Sequence, residues 1–421
     1  MLATILFSLS AQAQQQGPRV VLLGIDAAGW AQLSGFIDTK LAPSITALAD
    51  QGVLGKLTGY PGGQVEQWQT IATGNRPAVN EPSVWWARNQ SNGLSGRRIA
   101  SAFRAAPGIP IWQRLEQNGL KAGISGWPVG VGSSHATYTA WFHAHGRRLP
   151  PGASESQLLA ARSAPNWVAT TYAEQDTRLI QPEAFRQELE PLVDAVEARS
   201  DESWFARVPV LADLHGRSRT QYLDIKFALV AAEISAAIAR QLIEDRTLDL
   251  VAVNLWGLDP ILHRSQQLDI PLLEQQAWRY FDTVVGSLVG QLNRQDYLFL
   301  VSNHSVAKER NHNFYATDPI LVARGPGIRS GGIIEGATIA DIAPTLLRIF
   351  GFAAPHPADG RVMDGLFTNT HWERQPPARQ LRQSATNADA YRPQAIQTKA
   401  IERATLQRMR DIGYFLEPSG P

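Results

Sequence analysis

The 421-residue chain has no cysteine. That excludes disulfides, thiolate-bound zinc and a cysteine nucleophile, and leaves histidine and carboxylates as the strong metal ligands. Charge is also scarce. Asp, Glu, Lys and Arg make up 18% of residues and balance to a net charge of +1, against roughly 25% charged residues in an average soluble domain. Without a concentrated basic surface, nucleic acid is not expected as a partner. No apolar run reaches the roughly 20 residues of a transmembrane helix. Apolar residues are abundant, at 44%, and include twelve tryptophans. Such a composition buries a large core and argues against long disorder. The tryptophans are read as core and pocket lining, with a partner-facing surface as the alternative.

Met1 to Ser10 (MLATILFSLS) is a short apolar run followed by Ala11-Gln12-Ala13. This pattern reads as a secretory signal over residues 1–13, which makes the protein periplasmic or secreted in a bacterium. Beyond it, short apolar runs alternate with helical patterns. Arg19–Asp26, Lys121–Trp127, Leu248–Leu255, Asp296–Ser302 and Pro319–Arg324 read as strands. Leu41–Asp50, a segment opening at Trp68 and closing near Gly74, Ile111–Gly119, Leu223–Asp245, Leu273–Arg294 and Asp341–Phe350 read as helices. This alternation predicts an α/β fold with a mostly parallel central sheet covered by helices on both faces. The pattern breaks between about 133 and 218. That stretch reads as an inserted, mainly helical cap, with helices near Ser154–Arg162 and Pro182–Arg199. The core then comprises residues 14–132 and 219–370, and residues 371–421 form a polar tail with a terminal helix.

Three segments place acids and histidines just after strands, where ligands gather in open α/β sheets. Asp26 ends the first strand. Asp259 and His263 follow the strand ending near Leu255. Ser302-Asn303-His304 follows the next, with His312 eight residues further on. Taken singly, a strand-end Asp is a turn former and a His is structural. Together, Asp and His residues in this order are a recipe for Zn²⁺ or a similar ion. His135, His143, His145 and His215 lie in or beside the cap. They are read as solvated loop residues, with pocket lining as the alternative.

The order Gly24-Ile25-Asp26, Thr70-Ile71-Ala72-Thr73-Gly74, Asp259-x3-His263 and Ser302-Asn303-His304 resembles type I phosphodiesterases and nucleotide pyrophosphatases, of the alkaline phosphatase superfamily. Ile111–Pro128, Gly325-Pro326-Gly327, Asp341-Ile342-Ala343-Pro344-Thr345-Leu346-Leu347 and Met363-Asp364-Gly365 are similar to further segments of that family, as is Ile412-Gly413-Tyr414 in the tail. The resemblance covers residues 19 to 366 outside the cap. It implies an alkaline-phosphatase-like fold and two metal ions, one of which activates an attacking Thr or Ser hydroxyl. Asp259, His263 and His312 match one ion's ligands. Asp26 and His304 match two ligands of the other, and Asn303 stands where the family carries Asp. Gln64 stands at the nucleophile position, and Thr70 matches a structural Thr.

A Gln amide cannot become an alkoxide, and an Asn carbonyl brings no charge to an ion. The expectation is therefore a phosphoester-hydrolase-like protein with one intact zinc site, a degraded second site and weak or no hydrolysis. A water nucleophile or a centre rearranged around Glu66 is the catalytic alternative. A non-catalytic scaffold or binding subunit, with a protein partner, is the other. A sulfatase is disfavoured, because no C/S-x-P-x-R context is present.

Overall fold

Arg19–Ile25 (RVVLLGI) is buried at every position, as a strand must be when it lies inside a sheet covered on both faces. In the computed structural model it is β1. The structure describes residues 17–60, 64–76, 108–127, 138–140, 180–181, 183–306, 315–316, 318–356 and 358–382. The expected signal segment, the Ser154–Arg162 helix, His135, His143, His145, His312 and the terminal helix lie outside them.

The remaining strands are β2 (Val53–Thr58), β3 (Ala122–Ser125), β4 (Tyr138–Ala140), β5 (Ile180–Gln181), β6 (Leu250–Leu255), β7 (Asp296–Val301), β8 (Ser305–Val306), β9 (Tyr315–Ala316), β10 (Ile320–Arg324) and β11 (Ile333–Thr338). Nine of them form one sheet in the order β11-β2-β10-β7-β1-β6-β3-β4-β5, and β8 and β9 form a small separate pair. β1 runs parallel to both its neighbours, with Gly24 opposite Asn254 on β6 and Val301 on β7. β10 is antiparallel to both β2 and β7, so the sheet is mixed but mostly parallel, as the sequence predicts.

The helices are α1 (Trp30–Asp38), α2 (Pro43–Gln51), α3 (Gln64–Thr73), α4 (Ile111–Gln117), α5 (Glu183–Glu197), α6 (Asp201–Arg207), α7 (Val210–Arg217), α8 (Arg219–Glu244), α9 (Leu258–Leu268), α10 (Pro271–Val289) and α11 (Ile342–Ile349). They build two cores on opposite faces of the sheet. Val21, Leu23 and Ile25 of β1 point into one, with α2 and α5–α10. Val20 and Leu22 point into the other, with α3, α4 and α11. The alternation follows from the period of two along a strand. Helices α5–α7, from the segment read as a cap, contribute Phe185, Leu189, Trp204 and Leu211 to the first core.

Long-range polar contacts fix the frame. Arg19 donates from Nε to the Leu248 carbonyl (3.0 Å) and from Nη2 to the Ile243 carbonyl (2.8 Å), and its Nη1 lies 3.5 Å from Asp296. Asp282 on α10 accepts from the Ser44 and Ile45 backbone N–H groups (3.0 and 2.8 Å), closing the first turn of α2.

Several motif segments prove to be scaffold. The Asp341 carboxylate accepts from Thr338 N and Arg361 N, and the Thr345 hydroxyl accepts from Met363 N. Gly74, at φ +78°, tucks the end of α3 against Pro344. Gly327, at φ +74°, lies so close to the His371 ring that a Cβ would overlap it.

Candidate functional site

β7, β1 and β6 are adjacent and parallel, so their C-terminal ends bring the expected acids and histidines to one edge of the sheet. Asp26 follows β1 directly. After β6 the chain turns through Gly257, at φ +116°, whose ideal Cβ would lie 2.2 Å from the Ala228 carbonyl oxygen. Only glycine fits that turn, and it starts α9 with Asp259 in its first turn. His263 lies one turn later on the same face. After β7, Ser302 fixes the exit. Its hydroxyl donates to the Ala28 carbonyl (2.5 Å) and accepts from Ile320 N (2.8 Å).

Asp26, Asp259, Asn303 and His304 are fully buried. Four of the expected ligands form an unbroken chain. The His304 ring has Nδ1 3.5 Å from Asp26 and Nε2 3.4 Å from Asp259, and His263 Nε2 lies 3.3 Å from that same Asp259 oxygen. Burial pushes the Asp259 carboxyl up, but the His263 and His304 imidazoles outweigh it and hold it well below the usual carboxylate range. Burial lowers His263, and the Asp259 and Asp26 carboxylates more than reverse this, so its proton is held more tightly than in the free side chain.

Two buried carboxylates and two imidazoles are the donor chemistry of a zinc-type ion. Among the described residues no group of three or more acids and histidines closes on a single point that could hold a metal ion. The geometry gives a reason. His304 stands between the two aspartates with one nitrogen toward each, so the four residues form two paired half-sites. His312, expected to complete the Asp259 pair, lies outside the described residues.

Asn303 points elsewhere. Its Oδ1 accepts from Ala27 N at 3.4 Å, where Ala27 adopts the left-handed conformation (φ 63°) just after Asp26. Gln64 is the first residue of α3. That helix lies on the same edge, since Gly59 has both Gln67 and the Asn303 carbonyl around it. The helix begins four residues before the Trp68 start read from the sequence. Glu66 is buried in its first turn. The Thr70 hydroxyl donates to the Glu66 carbonyl (2.9 Å) and Thr73 to that of Gln69 (2.8 Å), which agrees with a structural role for Thr70.

Sequence reading missed two neighbours. Asn254, opposite Gly24 on β6, is fully buried, and among the described residues neither of its amide atoms is hydrogen-bonded; Gln67 is the same. A polar residue inside the run Val251–Leu255 was the available signal. The rings of Trp68, Trp127 and Trp112 close this face, with centroids 4.9 and 5.8 Å apart. These three, with Trp204 and Trp278, are fully buried, as the core reading of tryptophan expects. His215 sits apart on α7, 3.6 Å from Asp201 and edge-on to Tyr222.

The sequence model of the family described as type I phosphodiesterase / nucleotide pyrophosphatase matches residues 20–403. No curated protein matches. Solved structures similar to this chain include murine ectonucleotide pyrophosphatase/phosphodiesterase 5 in complex with AMP. It is 13% identical, with a TM-score of 0.46, covering 83% of this chain and 100% of that one. Another is a phosphonate monoester hydrolase from Silicibacter pomeroyi, 14% identical, with a TM-score of 0.45, covering 83% of this chain and 76% of that one.

Proposed function

The chain belongs to the type I phosphodiesterase / nucleotide pyrophosphatase family, and from that premise we propose an exported, zinc-binding relative of phosphoester hydrolases with a degraded centre and weak or no hydrolysis. Asp259 and His263, with His312, would hold one ion. Asp26 and His304, with Asn303, would hold the other, weakly. When bound, such ions supply Lewis acidity and lower the pKa of an attacking group. The chain's own part is to bury the site and set its charge. Asp26 and Asp259 supply the negative charge, and His304 spaces them. A phosphoester or another small molecule is the ligand expected at this edge.

The observation that carries the reading is the neutral, fully buried Asn303. Its oxygen accepts from the Ala27 backbone N–H, and as an amide it brings no negative charge to the end of β7 beside Asp26 and His304. Metal analysis after purification without chelator tests it, with about one zinc per chain expected. Two equally tight ions would overturn the depleted second site. Turnover of an activated aryl phosphodiester well above a chelator-treated control would overturn the inactivity.

A second reading, a non-catalytic scaffold or binding subunit, is favoured by α3 itself. Both of its hydroxyls, Thr70 and Thr73, are committed to helix carbonyls, and Gln64 offers none. Native pull-down should then recover a stoichiometric protein partner, and a monodisperse monomer with none would count against it.

A further inference from the structure

From Ala228 to Ala239 every residue of α8 is buried, and in the middle of that stretch lies a carboxylate, Glu233. Three guanidiniums surround it. Arg199 Nη1 is 3.1 Å from its Oε2, Arg207 Nε is 3.5 Å from its Oε1, and Arg240 Nη2 is 4.0 Å from its Oε2. Among the described residues these three cations face one carboxylate, which the Tyr280 hydroxyl also faces, in a chain whose net charge is only +1. The donors are also underused. Arg207 Nη1 serves Ser203 (2.7 and 2.6 Å). Among the described residues the buried Arg199 Nη1 has no hydrogen-bond partner, and its approach to Glu233 is an ion-pair contact. Arg199 and Arg207 both lie over the Trp204 ring, at 5.5 and 5.7 Å from its centroid. The three arginine side chains are 25%, 34% and 33% exposed, so solvent reaches them.

We propose that this arginine ring binds a tetrahedral oxyanion, phosphate or sulfate. Glu233 neutralises part of the charge, and the guanidinium N–H groups not turned to it present a fork geometry suited to such an anion. The site is separate from the strand-end centre. Ala228 packs against the Gly257 turn at the strand ends, while the Leu242 and Ile243 carbonyls meet Arg19 at the start of β1. A helical rise of 1.5 Å per residue puts Glu233 about 8 Å, and Arg240 about 18 Å, back from those ends.

Calorimetric titration of chelator-treated full-length protein with inorganic phosphate, and separately sulfate, at fixed ionic strength tests this. One site per chain is expected. Arg199→Gln and Arg207→Gln should each weaken binding about tenfold or more, as loss of a charge-assisted hydrogen bond does. Glu233→Gln should tighten it, because the competing carboxylate is gone. A latch that only holds α6 to α8 would lower the melting temperature of these variants without moving anion affinity, and that result overturns the proposal. So does binding abolished by Asp259→Asn but unaffected by the arginine changes, which would assign the anion to the strand ends. Should Arg207→Gln fail to fold, Arg199→Gln and Arg240→Gln carry the same test. The titration reads no hydrolysis and stands apart from the proposed function.

Discussion

Asn303→Asp puts a charge where the structure is least able to tolerate one, unless a cation is present. The side chain is fully buried. Its cluster already contains Asp26 and Asp259, linked through His304 at 3.5 and 3.4 Å. An uncompensated buried carboxylate costs several kcal/mol. The new anion keeps the Ala27 N–H at the 3.4 Å position, and a charge-assisted bond there returns roughly 1.5–3 kcal/mol. The net loss in chelator should therefore be about 2–4 kcal/mol. Zinc reverses the balance, because the third anion then faces a cation and the variant gains more from the metal than its parent does. Urea denaturation in chelator and in excess zinc measures both states. The sign with pH follows from burial and like charge, which raise the folded pKa of the new group above its free value of about 3.9. A raised carboxyl costs nothing below the free value, and the loss grows as pH rises through the folded one. The chelator deficit should thus vanish in acid and be full at neutral pH. Equal stability of variant and parent in chelator would refute the reasoning, as would a deficit that zinc leaves unchanged.

Gln64→Thr combined with Asn303→Asp should cleave an activated aryl phosphodiester at least ~100-fold faster than the parent, with neither single change sufficing, because hydroxyl and activating charge act as a unit; initial-rate assays on all four proteins check it. Asp201 accepts from Lys226 Nζ (2.6 Å), from Arg219 Nη1 (2.9 Å) and from the Tyr222 hydroxyl. Burial pushes this carboxyl up, and those donors hold it well below the usual range. Its stabilisation is therefore full above about pH 4 and is lost as pH falls toward the folded value. Asp201→Asn should cost about 1–2 kcal/mol at pH 7 after discounting for partial exposure and should flatten the acid limb of a stability–pH curve. Gly24→Ala would place a Cβ 2.8 Å from Trp68 Cη2 and 3.0 Å from Asn254 Oδ1, and should lower denaturant stability by about 1–3 kcal/mol through overpacking.

Elements buried on both sides were the most legible. The runs of β1, β6 and β7 are apolar at almost every position, and the residues just after them became the site. Direction was not legible. Ile320–Arg324 reads as buried whether it runs parallel or antiparallel, and only its pairing with Leu298–Val301 and Val53–Lys56 shows that it runs against both. α3 was seen only from Trp68 onward, because Gln64–Gln67 carry no apolar period. Glu66 and Gln67 are nonetheless buried, and the Gln67 side chain lies against Gly59, beside the Asn303 carbonyl. Asn254 escaped notice for the same reason. Its meaning depends on the register that sets it opposite Gly24. His215 was placed in or beside the cap, but its partner Asp201 belongs to a different helix, a pairing that fourteen residues of separation do not announce.

The position of β1 has a consequence for how the protein is made. It is the first strand of the described chain and lies in the middle of the sheet, yet both its neighbours come late. The Arg19 side chain reaches across 229 residues to its Leu248 acceptor, and β7 begins only at Asp296. At a synthesis rate of about 5–20 residues per second, β1 leaves the ribosome roughly 12–45 s before β6 exists to pair with it. During that interval Val20–Ile25 is a solvent-exposed apolar edge of the kind that recruits other strands. The nascent chain should therefore depend on a holding chaperone until β6 emerges. A ribosome-bound fragment ending before residue 250 should retain that chaperone, and one extended past residue 306 should release it.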